Sequence, residues 1–239
     1  MQRSKASLAV RQPGTRAPKL STDVRQRQLL DIAIRVFAER GYAAASTQAI
    51  AAAAGLAEPT LYRHFASKQA LFLAAFDRAS TELLDSWRSI EADSPSPLEA
   101  IARIGVWYTD RLRARPDDLL LRYRSLSHTD DPELCARVRS NYRETLAFVR
   151  GLYERARARG EIDASSDPRA LAWLFLAVGA MLDQAQLLEL GDELPPDVVS
   201  KIAALIQSGG VVRTPLAPSG EISVPSGQPA VRVDGPAHR

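Results

Sequence analysis

Reactive and metal-binding side chains are scarce in this sequence. Cys135 is the only cysteine among 239 residues, so no disulfide can form within the chain and no thiolate cluster can hold a metal ion. The three histidines, His64, His128 and His238, are far apart and lack the spacing of metal ligands. We therefore expect neither a metal site nor a cofactor.

Long hydrophobic runs are also missing. The longest uncharged apolar run, Ala170 to Leu182, has thirteen residues, whereas a helix that spans a bilayer needs about 20. Residues 1–20 are basic and lack the apolar segment of a secretory signal. No alternating strand pattern and no internal repeat is present. These absences predict a soluble, cytoplasmic, all-α protein with no membrane partner.

Positive charge is concentrated at the N-terminal end. Residues 1–70 contain eleven Lys or Arg and four acidic residues, a net charge of +7, so the remainder carries −4 and the chain +3. A basic end on a mildly acidic body suits a protein that docks one end on phosphates. The alternative is an ordinary solvated basic face, and the charge pattern alone does not decide between them.

Apolar periodicity and capping residues predict about nine helices. The predicted helices lie at about 22–40, at two short segments within 47–65, and at about 67–91, 97–115, 117–127, 131–159, 167–190 and 195–207. We divide the chain into a disordered basic arm (1–20), a three-helix DNA-binding domain (21–66), a helical effector-binding and dimerisation domain (67–207) and a disordered tail (208–239). The tail has five Gly and five Pro in 32 residues and no periodicity.

Residues 47–65 read as two short helices folded at Gly55. Glycine supplies the left-handed backbone that ends the first helix, and Pro59 fits the first turn of the second. Two helices joined by a tight turn form either a helix-turn-helix or a plain helical hairpin. The second helix carries Thr60, Tyr62, Arg63 and His64, which so short a helix does not need for its own stability. Their presence favours the DNA-binding alternative.

Leu56 to Lys68 (LAEPTLYRHFASK), preceded by Phe37 to Tyr42 (FAERGY), resembles the DNA-binding domain of the TetR family of transcriptional repressors. The resemblance covers about residues 22–75. It implies a transcriptional regulator that binds a palindromic operator as a homodimer, represses transcription and is released by a small molecule. Ala57 departs from the family, which commonly has a capping serine there, and Glu58 stands near where many members carry Lys, Gly or a small polar residue.

Several side chains of this segment are suited to contact DNA. Arg63 either bonds guanine O6 and N7 or clamps a phosphate. Glu58 either accepts from cytosine N4 or has an exposed or intramolecular role, and Thr47 is either a phosphate contact or the cap of its own helix. Together with the resemblance, these arguments predict the DNA-binding residues Thr47, Gln48, Glu58, Pro59, Thr60, Tyr62, Arg63, His64 and Lys68.

The last two helices contain more apolar surface than one side can bury. We expect a second copy to cover this surface in a four-helix bundle, the alternative being burial within one chain. The predicted interface residues are Leu171, Leu174, Val178, Met181, Val198, Ile202 and Leu205. A largely apolar effector would contact Trp107, Tyr108, Arg111, Tyr123, Arg124, His128, Tyr142 and Phe175, although an aromatic stripe at helical spacing is often plain core.

An enzyme and an architectural DNA-binding protein are the two alternative function classes. An enzyme would need a nucleophile–base pair, paired carboxylates or a metal cluster, and none has a recognisable spacing here. An architectural DNA-binding protein would need neither a defined helix-turn-helix nor a body large enough for a pocket. The operator, the effector and the regulated genes are not encoded in the residue pattern.

Overall fold

The computed structural model of the chain describes residues 22–114, 117–127 and 131–207. These residues form nine α-helices and one short 3₁₀ helix (Ser125–Ser127), without a strand, so the all-α prediction is confirmed. The α-helices are α1 (Thr22–Ala44), α2 (Thr47–Ala53), α3 (Glu58–Tyr62), α4 (Lys68–Ala92), α5 (Pro97–Ala114), α6 (Asp117–Arg124), α7 (Pro132–Ala158), α8 (Pro168–Leu187) and α9 (Pro196–Gln207). The predicted arm, the predicted tail and His128 lie outside the described residues.

Capping side chains begin several helices as the sequence predicted. The Ser67 hydroxyl accepts a hydrogen bond from the Ala70 N–H at 3.0 Å and begins α4. Asp131 and Asp167 cap α7 and α8 in the same way. Gly41 interrupts α1 with a positive φ of 73°, so regular helix ends there and one more turn leads to Ala44.

Two clusters of buried residues form the core. The first joins α1, α2 and α3 to the first half of α4, and it also contains Leu121 of α6 and Leu134 and Val138 of α7. The second joins the other half of α4 to α5, α7 and α8, with Leu119 of α6. Helices α4, α6 and α7 therefore contribute to both clusters. The predicted boundary at residue 66 stays a prediction, since the first cluster continues across it.

Helix α8 is apolar around its circumference, but it is buried on one side only. Leu171 and Ala172 pack into the second cluster, but Trp173 is 63% exposed and Met181 is 58% exposed. The neighbours α5, α6, α7 and α9 pack against one side of α8 only. Within a single chain, the other side is left as an apolar surface.

Candidate functional site: a helix-turn-helix surface and an interior cavity

The helix-turn-helix consists of α2, a turn at Gly55 and α3. The cap of α2 is Ser46, whose hydroxyl accepts from the Ala49 N–H at 3.1 Å. The suggested capping role of Thr47 is therefore wrong, because the cap lies one residue earlier and leaves the Thr47 hydroxyl available across the turn. Gly55 has a φ of 65°, which confirms the predicted left-handed turn.

Helix α3 is fixed to the core by two apolar side chains. Leu61 is 1% exposed and Phe65 is 6% exposed. Ala57 precedes the helix and makes no side-chain cap, as its departure from the family pattern predicted. With one face anchored, Tyr62 and Arg63 are turned to solvent. The chain thus presents a short polar helix on its surface.

Thr47 connects the two helices of the motif. Its hydroxyl donates to Glu58 Oε1 at 2.5 Å and lies 3.2 Å from the Tyr62 hydroxyl. The start of α2 is thereby linked to both ends of α3. Glu58 has an intramolecular partner in this structure, which is one of the two roles that the sequence left open.

The Arg63 side chain is held by its own helix. Its Nη2 donates to Thr60 Oγ1 at 2.9 Å, three residues earlier. The guanidinium group is exposed and its planar donors are oriented by this contact. The exposed position of the Arg63 side chain is compatible with both base reading and phosphate binding, because both roles require the guanidinium group to point outward.

Lys68 ties α4 to the end of α1. Its ammonium group donates to the Ala43 carbonyl oxygen at 3.1 Å and lies 4.7 Å from the centroid of the Tyr42 ring. A lysine held in this way still has donors for a phosphate, since an ammonium group has three N–H bonds. Of the other predicted DNA contacts, Gln48 and Pro59 are exposed and His64 is half-buried.

A cavity of about 430 Å³ lies among α4 to α9. This is within the usual size range of small-molecule sites. Its wall is mostly apolar and includes Leu83, Trp87, Ile101, Leu119, Phe175 and Leu176. The described residues therefore enclose a space suited to a largely apolar molecule.

Polar side chains from four helices line part of this cavity. The Tyr108 hydroxyl of α5 donates to Asp183 Oδ1 of α8 at 2.8 Å. Arg122 of α6 donates to Asn141 Oδ1 at 2.9 Å and stands over the Tyr142 ring of α7, 5.6 Å from its centroid. A positive and an acidic side chain are thus both placed in the wall of an apolar cavity.

Burial changes the acidity of these groups. It raises the pKa of the Asp183 carboxyl to about 7, although the Tyr108 hydrogen bond and the Arg122 charge both lower it. Burial, followed by the charge of Asp183, raises the pKa of the Tyr108 hydroxyl well above its usual value. At neutral pH the carboxyl of Asp183 therefore exists in both its protonated and its ionised form.

Three of the predicted effector contacts, Tyr108, Tyr142 and Phe175, line the cavity. Trp107, Arg111, Tyr123 and Arg124 are not among its lining residues. Two of these have partners elsewhere: Arg111 pairs with Asp118 at 3.0 Å and Arg124 donates to the Glu39 carbonyl oxygen at 3.0 Å.

Sequence reasoning missed the charged residues that line the cavity, which are the buried Arg122 and Asp183 and the exposed Asp110 and Arg113. Asp183 carried a signal, because it is the first charged residue after the apolar run that ends at Leu182. Arg122 carried none, since an arginine in a short helix is expected at the surface. Trp87 was missed because its spacing fits a core position equally well.

The exposed side of α8 contains part of the predicted dimer interface. Leu174 is 42% exposed and Met181 is 58% exposed, whereas Val178, Val198 and Ile202 are half-buried. Leu171 is only 8% exposed and packs in the core of its own chain, which corrects its placement at the interface. The side chain of Leu205 is outside the described part of the structure.

The described ranges contain no group of three or more His, Cys, Asp or Glu residues that could hold a metal ion. They contain one helix, α8, that is long and apolar enough to cross a membrane by length and composition. A core helix of a soluble protein meets the same criterion, so this property of α8 does not indicate a membrane protein.

The N-terminal region matches a known family model. Residues 29–75 match the model for bacterial regulatory proteins of the tetR family. Over 73 residues the chain is 44% identical to the HTH-type transcriptional activator FasR of Mycolicibacterium smegmatis, a match covering 30% of this chain and 33% of FasR. Over 80 residues it is 40% identical to the HTH-type transcriptional repressor KstR2 of Rhodococcus jostii, covering 32% and 39%. The matches thus span little more than a third of these relatives.

The fold as a whole is similar to a solved structure. A TetR transcriptional regulator from Chloroflexus aurantiacus is 26% identical, with a TM-score of 0.69 over 77% of this chain and 94% of that protein. The similarity extends beyond the helix-turn-helix to the helical body that holds the cavity. Residues 29–75 are thus a DNA-binding domain of the tetR family, and the fold as a whole is similar to that of a TetR transcriptional regulator.

Proposed function

We propose that this chain is a cytoplasmic, ligand-responsive transcriptional regulator that binds a palindromic operator as a homodimer. The observation that carries the proposal is α3, an anchored helix beyond the turn at Gly55 that presents Tyr62 and Arg63 to solvent, with Thr60 half-buried beside them. A helix of this kind enters the major groove, where side chains reach base edges. Repression is the proposed direction, and the named relatives include one repressor and one activator.

The homodimer is supported by the exposed apolar side of α8. Trp173 and Leu174 are large, exposed neighbours on this helix, and the exposed Met181 follows about two turns later. Such a surface is covered when two copies pack their helices together about a two-fold axis. Two-fold symmetry would place two copies of α3 about 34–36 Å apart, one turn of B-DNA, on a palindromic site.

Helix α6 provides a physical connection between the cavity and the DNA-binding helices. Arg122 lines the cavity, the adjacent Leu121 is fully buried in the first core cluster, and Arg124 donates to the Glu39 carbonyl oxygen near the end of α1. A ligand that shifts α6 would therefore move α1 as well. Release from DNA then depends on the ligand's difference in affinity for the two conformations.

Replacement of Arg63 by alanine tests the DNA-binding role of α3. We expect the variant to lose about tenfold to a hundredfold in operator affinity, or to lose discrimination at one base pair, because a bidentate arginine contact contributes about 1–3 kcal/mol. Arg150→Ala is the matched control, since Arg150 is exposed and pairs with Glu154 on α7. Gel shifts with the operator would measure both. Wild-type affinity and specificity in Arg63→Ala would contradict this role.

The alternatives make different predictions. An architectural protein would bind operator and competitor DNA with a ratio near one, whereas a specific regulator discriminates by about a thousandfold or more. An enzyme is disfavoured by the tetR-family domain, because the relatives in the comparison are DNA-binding regulators.

A further inference from the structure

The cavity holds two charged side chains that are more deeply buried than most charged residues. Arg122 is 7% exposed and Asp183 is 6% exposed. Burying an ion is unfavourable unless it is paired or hydrogen-bonded. No direct ion pair joins Arg122 to Asp183 in the described structure; each is instead bonded to neutral neighbours. Neither side chain therefore has an oppositely charged partner in direct contact.

The unused hydrogen-bonding atoms near the cavity are mainly donors. Arg122 Nε and Trp87 Nε1 are buried without an acceptor among the described residues, and both residues line the cavity. Asp183 accepts the Tyr108 hydroxyl on Oδ1, and no described residue donates to Oδ2. When Asp183 is protonated, its carboxyl becomes another donor. A ligand that forms hydrogen bonds with the Arg122 guanidinium or with the protonated carboxyl of Asp183 must bring acceptors.

The charges around Asp183 favour an anion over a cation. The groups that face it are Tyr108 on α5, Arg122 on α6 and Tyr142 on α7. The charged residues of α9, Asp197 and Lys201, pair with each other on an exposed face. Asp110 and Arg113 of α5 also line the cavity, but their side chains are exposed and pair with each other. With Asp183 protonated, the uncompensated charge of the cavity is therefore the positive charge of Arg122. A cation would be repelled by Arg122, and a neutral group would leave that charge uncompensated.

We propose that the cavity binds a small, largely apolar monocarboxylic acid, whose carboxylate accepts hydrogen bonds from Arg122 and from the protonated carboxyl of Asp183. The apolar part lies against the wall that includes Trp87 and Phe175. This inference rests on the proposed function, in which the cavity receives the effector. The bound anion holds the proton on Asp183, so binding near neutral pH takes up part of a proton from solvent.

Isothermal titration calorimetry without DNA tests the head group. The probes share one alkyl chain: decanoic acid, decanol, decylamine and the coenzyme A thioester of decanoic acid. We expect decanoate to bind about tenfold to a hundredfold more tightly than decanol, because charge-assisted hydrogen bonds are the stronger ones. Decylamine and the thioester, which lack a carboxylate, should bind no better than decanol. Tightest binding by the amine, the alcohol or the thioester would overturn the proposal.

Proton uptake gives a second readout. Titrations in buffers of different ionisation enthalpy should show decanoate binding with net proton uptake near pH 7. Its affinity should be constant between about pH 6 and about pH 7, where decanoic acid is ionised, and then fall by up to about tenfold per pH unit, because Asp183 must be protonated in the complex. Affinity that rises with pH, or binding without proton uptake, would contradict the role of Asp183.

Variants assign these effects to residues. Asp183→Asn should still bind decanoate, since the amide donates N–H, but without proton uptake or the fall in affinity above pH 7. Arg122→Gln should lose about tenfold or more in affinity, while Arg150→Gln, on the surface, should bind as the wild type does. If Arg122→Gln does not fold, the comparison of head groups on the wild-type protein still tests the ligand proposal.

Operator release is measured separately. Decanoate that binds without releasing DNA would contradict the proposed function but not the proposed ligand class.

Discussion

Replacing Asp183 with asparagine should stabilise the folded protein at neutral pH and have a smaller effect in acid. The carboxyl is buried against α5, α6 and α7, and burial raises its pKa from 3.8 to about 7 despite the Tyr108 hydrogen bond. Asparagine keeps the shape and an oxygen that accepts the Tyr108 hydroxyl. It removes the ionisation, so the difference between variant and wild type isolates the cost of the buried charge.

The magnitude follows from the pKa. Each tenfold change in proton affinity corresponds to about 1.4 kcal/mol, so a rise from 3.8 to about 7 makes the ionised carboxyl unfavourable by about 4 kcal/mol in the folded state. Below about pH 4 both states are protonated and this term vanishes. Between about pH 4 and about pH 7 the unfolded state ionises while the folded state does not, so wild-type stability falls progressively relative to the variant. Above about pH 7 the difference is constant.

Urea denaturation at several pH values and one fixed protein concentration would measure this difference. Fixed concentration matters because a dimer's stability depends on it. Asp197→Asn is the control, because Asp197 is exposed, pairs with Lys201 and should give a small difference at every pH. A difference in the free energy of unfolding between Asp183→Asn and wild type that stays constant from about pH 4 to about pH 8 would refute the reasoning.

Two more changes probe the turn and the proposed dimer. Gly55→Ala should destabilise the protein by about 1 kcal/mol or more, because Gly55 has a φ of 65°. The control, Gly105→Ala, lies in helix α5 with open space around its Cβ position and should be neutral or stabilising. Equal effects of the two changes in thermal unfolding would contradict this prediction. Met181→Glu should convert a dimer to monomers, because it introduces charge into the exposed apolar side of α8. The control, Ala136→Glu on the exposed face of α7, should leave the dimer intact. Size-exclusion chromatography with light scattering would measure both masses, and an unchanged mass for Met181→Glu would show that α8 is not part of the interface.

The helices and the turn could be predicted from local sequence. Ser67, Asp131 and Asp167 cap their helices through bonds within three residues, and Gly55 needs only its own backbone conformation. Leu61 and Phe65 repeat at helical spacing and are buried as expected. Such interactions depend on near neighbours in the chain, which a residue pattern records.

The polar end of the cavity could not be predicted in this way. The contact of Tyr108 with Asp183 joins residues 75 positions apart, and the contact of Arg122 with Asn141 joins different helices. Which side of α6 turns inward depends on the packing of α1, α4 and α8 against it, because Leu121 faces one core cluster and Leu119 the other. The hydroxyl of Thr47 likewise found partners on another helix, 11 and 15 residues away.

Selection of DNA from a random library by the purified full chain tests sequence-specific operator binding most directly. Fluorescence anisotropy would then compare the selected DNA with a scrambled duplex at one physiological salt concentration, since affinity depends strongly on salt. We predict an enriched palindrome, bound about a thousandfold or more tightly than the scrambled duplex, with the preference at one position of each half-site weakened in Arg63→Ala. Enrichment of no palindrome, with an affinity ratio near one, would contradict the account.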